Sequence, residues 1–339
     1  MKRYLALCLM VLLLFAGCAP GRREEGSYTE TYMDLFDTFT TIIGPGEDEE
    51  DFQKSADAIH DVLLTYHKLF DIYHDYPGVN NLKTVNDQAG IAPVAVDPVI
   101  LELLADCREY YTLTGGRVNA AMGSVLSLWH DARNKGLDDP ENARLPDAVA
   151  LREAAKHMDW AVVELDEAAS TVYITDSNTQ LDVGAIAKGW AVEKAAQNAP
   201  AGFLISVGGN VRVTGPKAED APWVIGIQDP DQAGANRYTI AVTSGSVVTS
   251  GDYQRTYVVD GMEYHHIIDP DTLMPAARWS SVTVICADSG LADALSTALF
   301  LLSPEEGKSL AEKCDAQALW VTPEGKEYMT DGFRALIRE

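Results

Sequence analysis

An α+β fold is predicted, on three observations. Segments with helical and strand patterning are mixed along the chain without regular strand–helix–strand alternation. No repeat recurs, and no internal linker divides the chain. Once an N-terminal leader is set aside, about 320 residues remain, enough for one large domain or two smaller ones. One catalytic domain, residues 31–339, is therefore expected behind a short tether.

The elements follow in order. Phe36 to Gly44 is rich in β-branched residues, stops at Gly44-Pro45-Gly46 and reads as a strand. Asp51 to Tyr76 has helical periodicity. His60, His67 and His74 recur there at heptad spacing, but residues seven apart on a helix lie about 10 Å apart, too far to share one ion. Asp97-Pro98 opens a helix, with Asp as N-cap and Pro at the first position, that runs to Gly115-Gly116. Pro146 to His157 is a further helix, and Trp160 to Thr175 reads as two strands around an acidic turn. Lys188 to Asn198 is helical; Phe203–Thr214, Trp223–Gln228 and Tyr238–Thr249 alternate as strands. Asp260-Gly261 is a hairpin turn between Thr256–Val259 and Glu263–Ile268. Ser281 to Cys286 is a strand and Leu291 to Leu302 a helix. Ser303-Pro304-Glu305-Glu306 is a capping box opening the next helix, and Ala318 to Thr322 begins a last hairpin.

The N-terminus has the form of a secretory leader. Lys2 and Arg3 precede an apolar run from Tyr4 to Ala16, shorter than the roughly 20 residues that span a bilayer. Small residues, Ala16 and Gly17, then precede Cys18. That arrangement predicts a signal peptide over 1–17, cleavage before Cys18 and lipid on its thiol. Phe15 stands where such sites usually carry Leu, and the alternative is plain secretion with Cys18 a bystander. Residues 18–30, with Pro20, Gly21, Gly26 and Ser27, read as a flexible tether. The expected location is the cell membrane, lipid-anchored and facing the extracytoplasmic side.

The formal net charge is −25, which argues against nucleic acid as a partner. An anionic ligand then needs a metal ion or a local positive field. Cys107, Cys286 and Cys314 show neither zinc spacing nor a disulfide framework, and Cys286 and Cys314 sit in apolar runs expected to be core.

Four clusters carry chemistry. In Asp182-Val183-Gly184-Ala185-Ile186-Ala187-Lys188-Gly189 a strand end meets a helix start through glycine, where free N–H groups and Lys188 suit a phosphate. Gly184 and Gly189 have P-loop separation, but Trp190 stands where the lysine belongs. Ser206-Val207-Gly208-Gly209-Asn210 puts two glycines into a strand pattern, which suits close approach of a ligand or a β-bulge. Tyr264-His265-His266-Ile267-Ile268-Asp269-Pro270 offers a histidine as proton acceptor, and strand alternation lets only one of the two face a site. In Ala292-Asp293-Ala294-Leu295-Ser296-Thr297-Ala298 the two oxygen-bearing residues Asp293 and Thr297 lie four apart on one helix face and suit Mg²⁺. Each cluster has a structural reading too: a turn, a bulge, a core histidine, a surface Asp.

Taken together with Asp37-Thr38-Phe39 and Ser250-Gly251-Asp252-Tyr253-Gln254-Arg255, and in this order from about residue 33 to 335, these strings resemble the ApbE family, the FAD:protein FMN transferases. The resemblance implies binding of FAD and Mg²⁺, and transfer of FMN through a phosphoester to a Thr or Ser of an acceptor protein, with release of AMP. It implies Ala185, Asp293 and Thr297 at the metal, Asp182 and Lys188 along the flavin nucleotide, and Phe36 and Tyr73 as flavin contacts. It assigns His266 as base on the acceptor hydroxyl, beside Ile267, with His265 as the alternative. The acceptor would belong to an extracytoplasmic or membrane redox complex. One departure stands out: Gly116-Arg117-Val118-Asn119 replaces the Gly-x-Phe-Asp common in the family, which bears on nucleotide contacts at Arg117, Val118 and Asn119. Two other functions fit the same residues: hydrolysis of FAD to FMN and AMP, and a non-catalytic FAD-binding lipoprotein.

Overall fold

The computed structural model describes residues 27–338, so the expected leader and Cys18 lie outside the described residues. Its centre is an eight-stranded antiparallel sheet whose spatial order is its chain order. The strands are β1 (Ser27–Leu35), β2 (Thr38–Pro45), β3 (Leu204–Val207), β4 (Asn210–Val213), β5 (Gly245–Gly251), β6 (Ser281–Cys286), β7 (Gln317–Val321) and β8 (Glu327–Met329). Strand β6 is buried at every position, as a strand covered on both faces must be.

Helices cover one face. The longer helices are α1 (Glu49–Phe70), α2 (Pro98–Leu113), α3 (Gly123–Asp138), α4 (Ala187–Asn198), α5 (Ser289–Leu301) and α6 (Pro304–Lys313), of which α3 packs instead on the Tyr257–Tyr264 hairpin. Ile42, Leu63, Leu104, Trp190, Phe203 and Ile205 join α1, α2 and α4 to β2 and β3 in one core. Val284, Phe300, Trp279 and Trp320 join α5 to β6 and β7 in a second. A three-stranded sheet of Trp223–Gln228, Asn236–Val242 and Ile337–Arg338 covers the opposite face, where Trp223 and Ile240 meet Val213, Val247 and Leu319. The layers run helix, sheet, sheet, an α+β arrangement.

Local chemistry fixes the helix starts. Asp97 caps α2 with Pro98 just inside, and both bonds of the Ser303–Glu306 capping box are present at α6. The structure also corrects several sequence expectations. Ser27–Glu30, expected in the tether, open β1, a polar edge strand with little apolar signal. Phe36, expected to start a strand, lies in the turn that joins β1 to β2. Helix α1 stops at Phe70, because Asp71 leaves helical geometry and its carboxylate takes the N–H groups of Tyr73 and His74. Phe203–Thr214 is a hairpin: Gly208 (φ 57°) and Gly209 (φ 89°) form a two-residue turn that needs positive φ twice. Tyr238–Thr249 breaks at Thr243-Ser244 into strands of two different sheets. The hairpin after Asp260-Gly261 ends at Tyr264, so His265 to Ile267 lie beyond it. Cys314 is only half-buried, while Cys107 and Cys286 are buried, and all three are free thiols.

Candidate active site

The centre is the crossing of α4 and α5. Gly189 makes it possible, since a Cβ there would lie 2.2 Å from Ser289 O and 2.5 Å from Asp293 Cβ. Close approach lets Gly189 N–H donate to Asp293 Oδ2 at 2.8 Å, and Asn210 Nδ2 donates to the same oxygen at 3.1 Å. Lys188 Nζ lies 3.8 Å from that oxygen and donates to Gly184 O at 3.1 Å. Asp293 is only 4% exposed. Burial pushes its carboxyl above the usual range, against Lys188, Gly189 and Asn210, which pull it down.

The oxygens here suit a hard cation. Both protein hydrogen bonds to the Asp293 carboxylate fall on Oδ2, which leaves Oδ1 for a ligand. Gly189 is the third residue of α4, so its N–H is one of those without a carbonyl partner inside the helix, and Asp293 takes it; Ala185 precedes the helix, in the loop that leads into it. Thr297 stands one turn beyond Asp293, half-buried. Ser296 Oγ donates to Asp293 O and meets Ser250 Oγ at 2.8 Å, which pins this turn of α5 to β5. Among the described residues no three His, Cys, Asp or Glu gather as a metal-holding group. A carboxylate, a carbonyl and a hydroxyl leave the remaining positions of an octahedral ion to water and phosphate.

The two neighbouring histidines have different fates. His265 uses both ring nitrogens: Nε2–H donates to Ala276 O at 2.6 Å, and Nδ1 accepts Ile267 N–H at 3.2 Å. Its ring packs edge-on against Phe300. His266 Nδ1 lies 3.0 Å from Gln254 O, and because a carbonyl only accepts, Nδ1 carries the proton. Nε2 is then a bare lone pair with no hydrogen-bond partner among the described residues. Burial, then the positive charges of Arg255 and Lys188, push His266 down to about 3, so the ring is neutral.

Phe36 and Asp37 form the β1–β2 turn with φ of 51° and 53°, a left-handed pair without glycine. His67 Nδ1 accepts Phe36 N–H at 3.1 Å; its Nε2 faces Tyr76 Oη at 3.3 Å, and Tyr76 donates to Asp71 at 2.8 Å. Tyr73 is 55% exposed, with its hydroxyl 2.8 Å from His130 Nδ1. Asp182 Oδ1 accepts Gly184 N–H at 2.8 Å and shapes the loop before α4.

Against known proteins, a model described as the ApbE family matches residues 36–320. The chain belongs to the ApbE family. Among ApbE relatives, the FAD:protein FMN transferase of Treponema pallidum is 36% identical over 277 residues, covering 76% of this chain and 75% of that one. The FAD:protein FMN transferase of Klebsiella pneumoniae is 31% identical over 266 residues, covering 75% and 80%. The crystal structure of the ApbE protein of Thermotoga maritima superposes with a TM-score of 0.81 at 31% identity, over 92% of this chain and all of that one. The flavin transferase ApbE of Vibrio cholerae shares the fold, with a TM-score of 0.74 at 24% identity over 91% and 99% of the two chains.

On this ApbE fold the predicted residues divide into two sets. Asp182, Lys188 and Asp293 are linked through Gly184 at the α4–α5 crossing, His266 feels the charge of Lys188 and Tyr73 that of Asp182; Ala185 lies in the loop before α4, Thr297 on α5 and Phe36 on the β1–β2 turn against His67. The remaining side chains are engaged in structure. Val118 is 2% exposed in the main core, and its N–H donates to Thr114 Oγ1. Arg117 pairs with Asp271 at 2.6 Å and Asp269 at 3.6 Å, tying its loop to the segment after His266. Asn119 Oδ1 accepts Ala121 N–H and its Nδ2 donates to Met158 O. Ile267 is buried. Sequence reasoning passed over His130 and gave Arg255 no role beyond its place in the Ser250–Arg255 string. Arg255 holds φ 50° one residue past the carbonyl that fixes His266, and its charge acts on His266, Asp293, His130 and Tyr73. A positive φ on a non-glycine residue is invisible in sequence, and His130 stands on α3, a helix that opens without a side-chain cap.

Proposed function

We propose that this chain transfers FMN from FAD to a Ser or Thr hydroxyl of another protein, forming a phosphoester and releasing AMP. Family membership and the relatives named FAD:protein FMN transferases support flavin transfer as the reaction class. The observation that carries the reading is the neutral His266, with its Nδ1 proton committed to Gln254 O and Nε2 left as acceptor. Such a nitrogen takes the proton of an incoming hydroxyl. As the hydroxyl oxygen bonds to the phosphorus of the FMN half, the bond from that phosphorus to the bridging oxygen breaks, and AMP leaves with the bridging oxygen. Lys188 and Arg255 supply the positive field that a pyrophosphate needs on a chain of net charge −25.

Mg²⁺, held by Asp293, Thr297 and the Ala185 carbonyl, would offset phosphate charge and polarise the phosphorus. Asp293→Ala is expected to abolish transfer with the fold retained, as read by circular dichroism; near-parental turnover would remove Asp293 from the site. The reaction itself is tested by mixing the full chain with FAD, Mg²⁺ and a candidate acceptor. Addition of the FMN mass to the acceptor with equimolar AMP is expected. FAD left intact beside an unmodified but competent acceptor overturns the reading. Free FMN and AMP with the acceptor untouched would mean that water takes the place of the hydroxyl at His266.

The leader pattern supports action outside the cytoplasm, with Cys18 lipidated and the acceptor in an extracytoplasmic or membrane redox complex. Cys18→Ser is expected to shift exported protein from the membrane fraction to the soluble one. An unchanged membrane fraction would rule out the anchor.

A further inference from the structure

Tyr73 presents an unusual combination. It exposes more than half its surface, yet it is held at both ends: its N–H donates to Asp71 Oδ1 at 2.6 Å, and its hydroxyl meets His130 Nδ1 at 2.8 Å. An exposed aromatic ring that is fixed in place offers a flat apolar face to a planar ligand. His130 projects from α3, with its side chain 22% exposed, and Asp182 Oδ2 lies 3.9 Å from the same ring nitrogen. Asp182 in turn holds Gly184 N–H, Gly184 O accepts from Lys188, and Lys188 lies 3.8 Å from Asp293. A continuous polar chain therefore links the tyrosine to the reaction centre. It passes through five separate elements: the loop after α1, helix α3, the loop before α4, α4 itself and α5.

We infer that His130 is a positioning residue: through the Tyr73 hydroxyl it fixes the ring against which the flavin isoalloxazine stacks, at a set distance from the Asp182–Lys188 loop. This rests on the flavin-transfer reading, and it adds a residue to which that reading gives no part. His130 does not touch the reacting atoms. Its effect falls on how well the flavin half is held, and the nucleotide half is bound without it.

The test is binding by the full chain in the presence of Mg²⁺, with FAD compared against ADP, which lacks the flavin. His130→Ala is expected to raise the Kd for FAD about tenfold and that for ADP less than twofold. His130→Asn, which keeps a hydrogen-bonding atom near the Nδ1 position, is expected to stay within about threefold of the parent for FAD. Tyr73→Phe is expected to match His130→Ala, and the double variant to be no weaker than either single one. Three results would overturn the inference: unchanged FAD binding in His130→Ala, equal weakening of FAD and ADP, or multiplying effects in the double variant. A parent that binds FAD but never modifies an acceptor would instead defeat the transferase reading and leave this test readable. A parent that binds no FAD would defeat both.

Discussion

Asp293 carries its carboxylate where burial opposes a charge, with two neutral donors and one lysine near Oδ2. Replacing it by Asn removes the desolvated charge and keeps the shape. Without Mg²⁺, Asp293→Asn is therefore expected to be as stable as the parent or up to about 2 kcal/mol more stable. Added Mg²⁺ should raise the Tm of the parent alone, since only the parent retains the carboxylate; a Tm gain in both would place the ion elsewhere. His266 has the opposite relation to acid. Its folded pKa of about 3 lies below the unfolded value near 6.5, so the folded state refuses a proton that the unfolded chain accepts. The stability from this group is complete above pH 6.5 and is lost as pH falls towards 3. Denaturant melts at pH 7 and pH 4 should show the parent losing about 2–3 kcal/mol more than His266→Gln. The same depression predicts no acid limb near pH 6.5 from this base in the kcat/KM profile of the free enzyme. Arg255→Ala should lower kcat more than tenfold in single-turnover transfer, with Arg255→Lys intermediate, because the charge bears on His266 and Asp293 together.

Two tight turns and one helix crossing stand out at the scale of elements. The β3–β4 turn uses glycine at both left-handed positions, whereas the β1–β2 turn places Phe36 and Asp37 there. Left-handed geometry costs a non-glycine residue roughly 1 kcal/mol or more, and the His67 bond to Phe36 N–H helps to hold it. Asp37→Gly is accordingly expected to raise stability by up to about 1 kcal/mol in chemical denaturation. At the crossing, Gly189→Ala drives a methyl group into Ser289 O. It should cost about 1–3 kcal/mol and reduce transfer sharply, as α5 moves away with Asp293; retained activity would show that the crossing tolerates spreading. These features explain what was legible. Helices α2 and α6 were readable because their caps are written in side chains, Asp97-Pro98 and Ser303–Glu306. Helix α3 was not, because it starts at Gly123 without a side-chain cap. The two-glycine string was readable as special but not as a turn, since positive φ at both positions suits a hairpin and a bulge alike.

Across the whole molecule, residues distant in sequence meet at Asp293: Gly189 lies 104 positions away and Asn210 83. Asp182, Lys188, His266 and Asp293 stood out in sequence because each sits in a distinctive string. His130 stood in none, and only folding brings it to Tyr73, 57 residues away. The choice between His265 and His266 likewise depended on which ring keeps a free nitrogen, a matter of tertiary partners. The layered build separates stability from chemistry. Phe333 is fully buried against the second sheet, on the face opposite the helices. Phe333→Ala should cost about 3–5 kcal/mol in stability while the KM for FAD stays within twofold in steady-state assays; a large KM change would mean that the two faces are coupled. The edge strand β1 has a mechanical consequence. It starts at Ser27 opposite Pro45 and ends beside the Phe36–Asp37 turn. Nine extended residues cover about 27–30 Å. In a chain held at its N-terminal side, β1 acts as a stiff boom that carries the Phe36–Asp37 turn that far from Ser27.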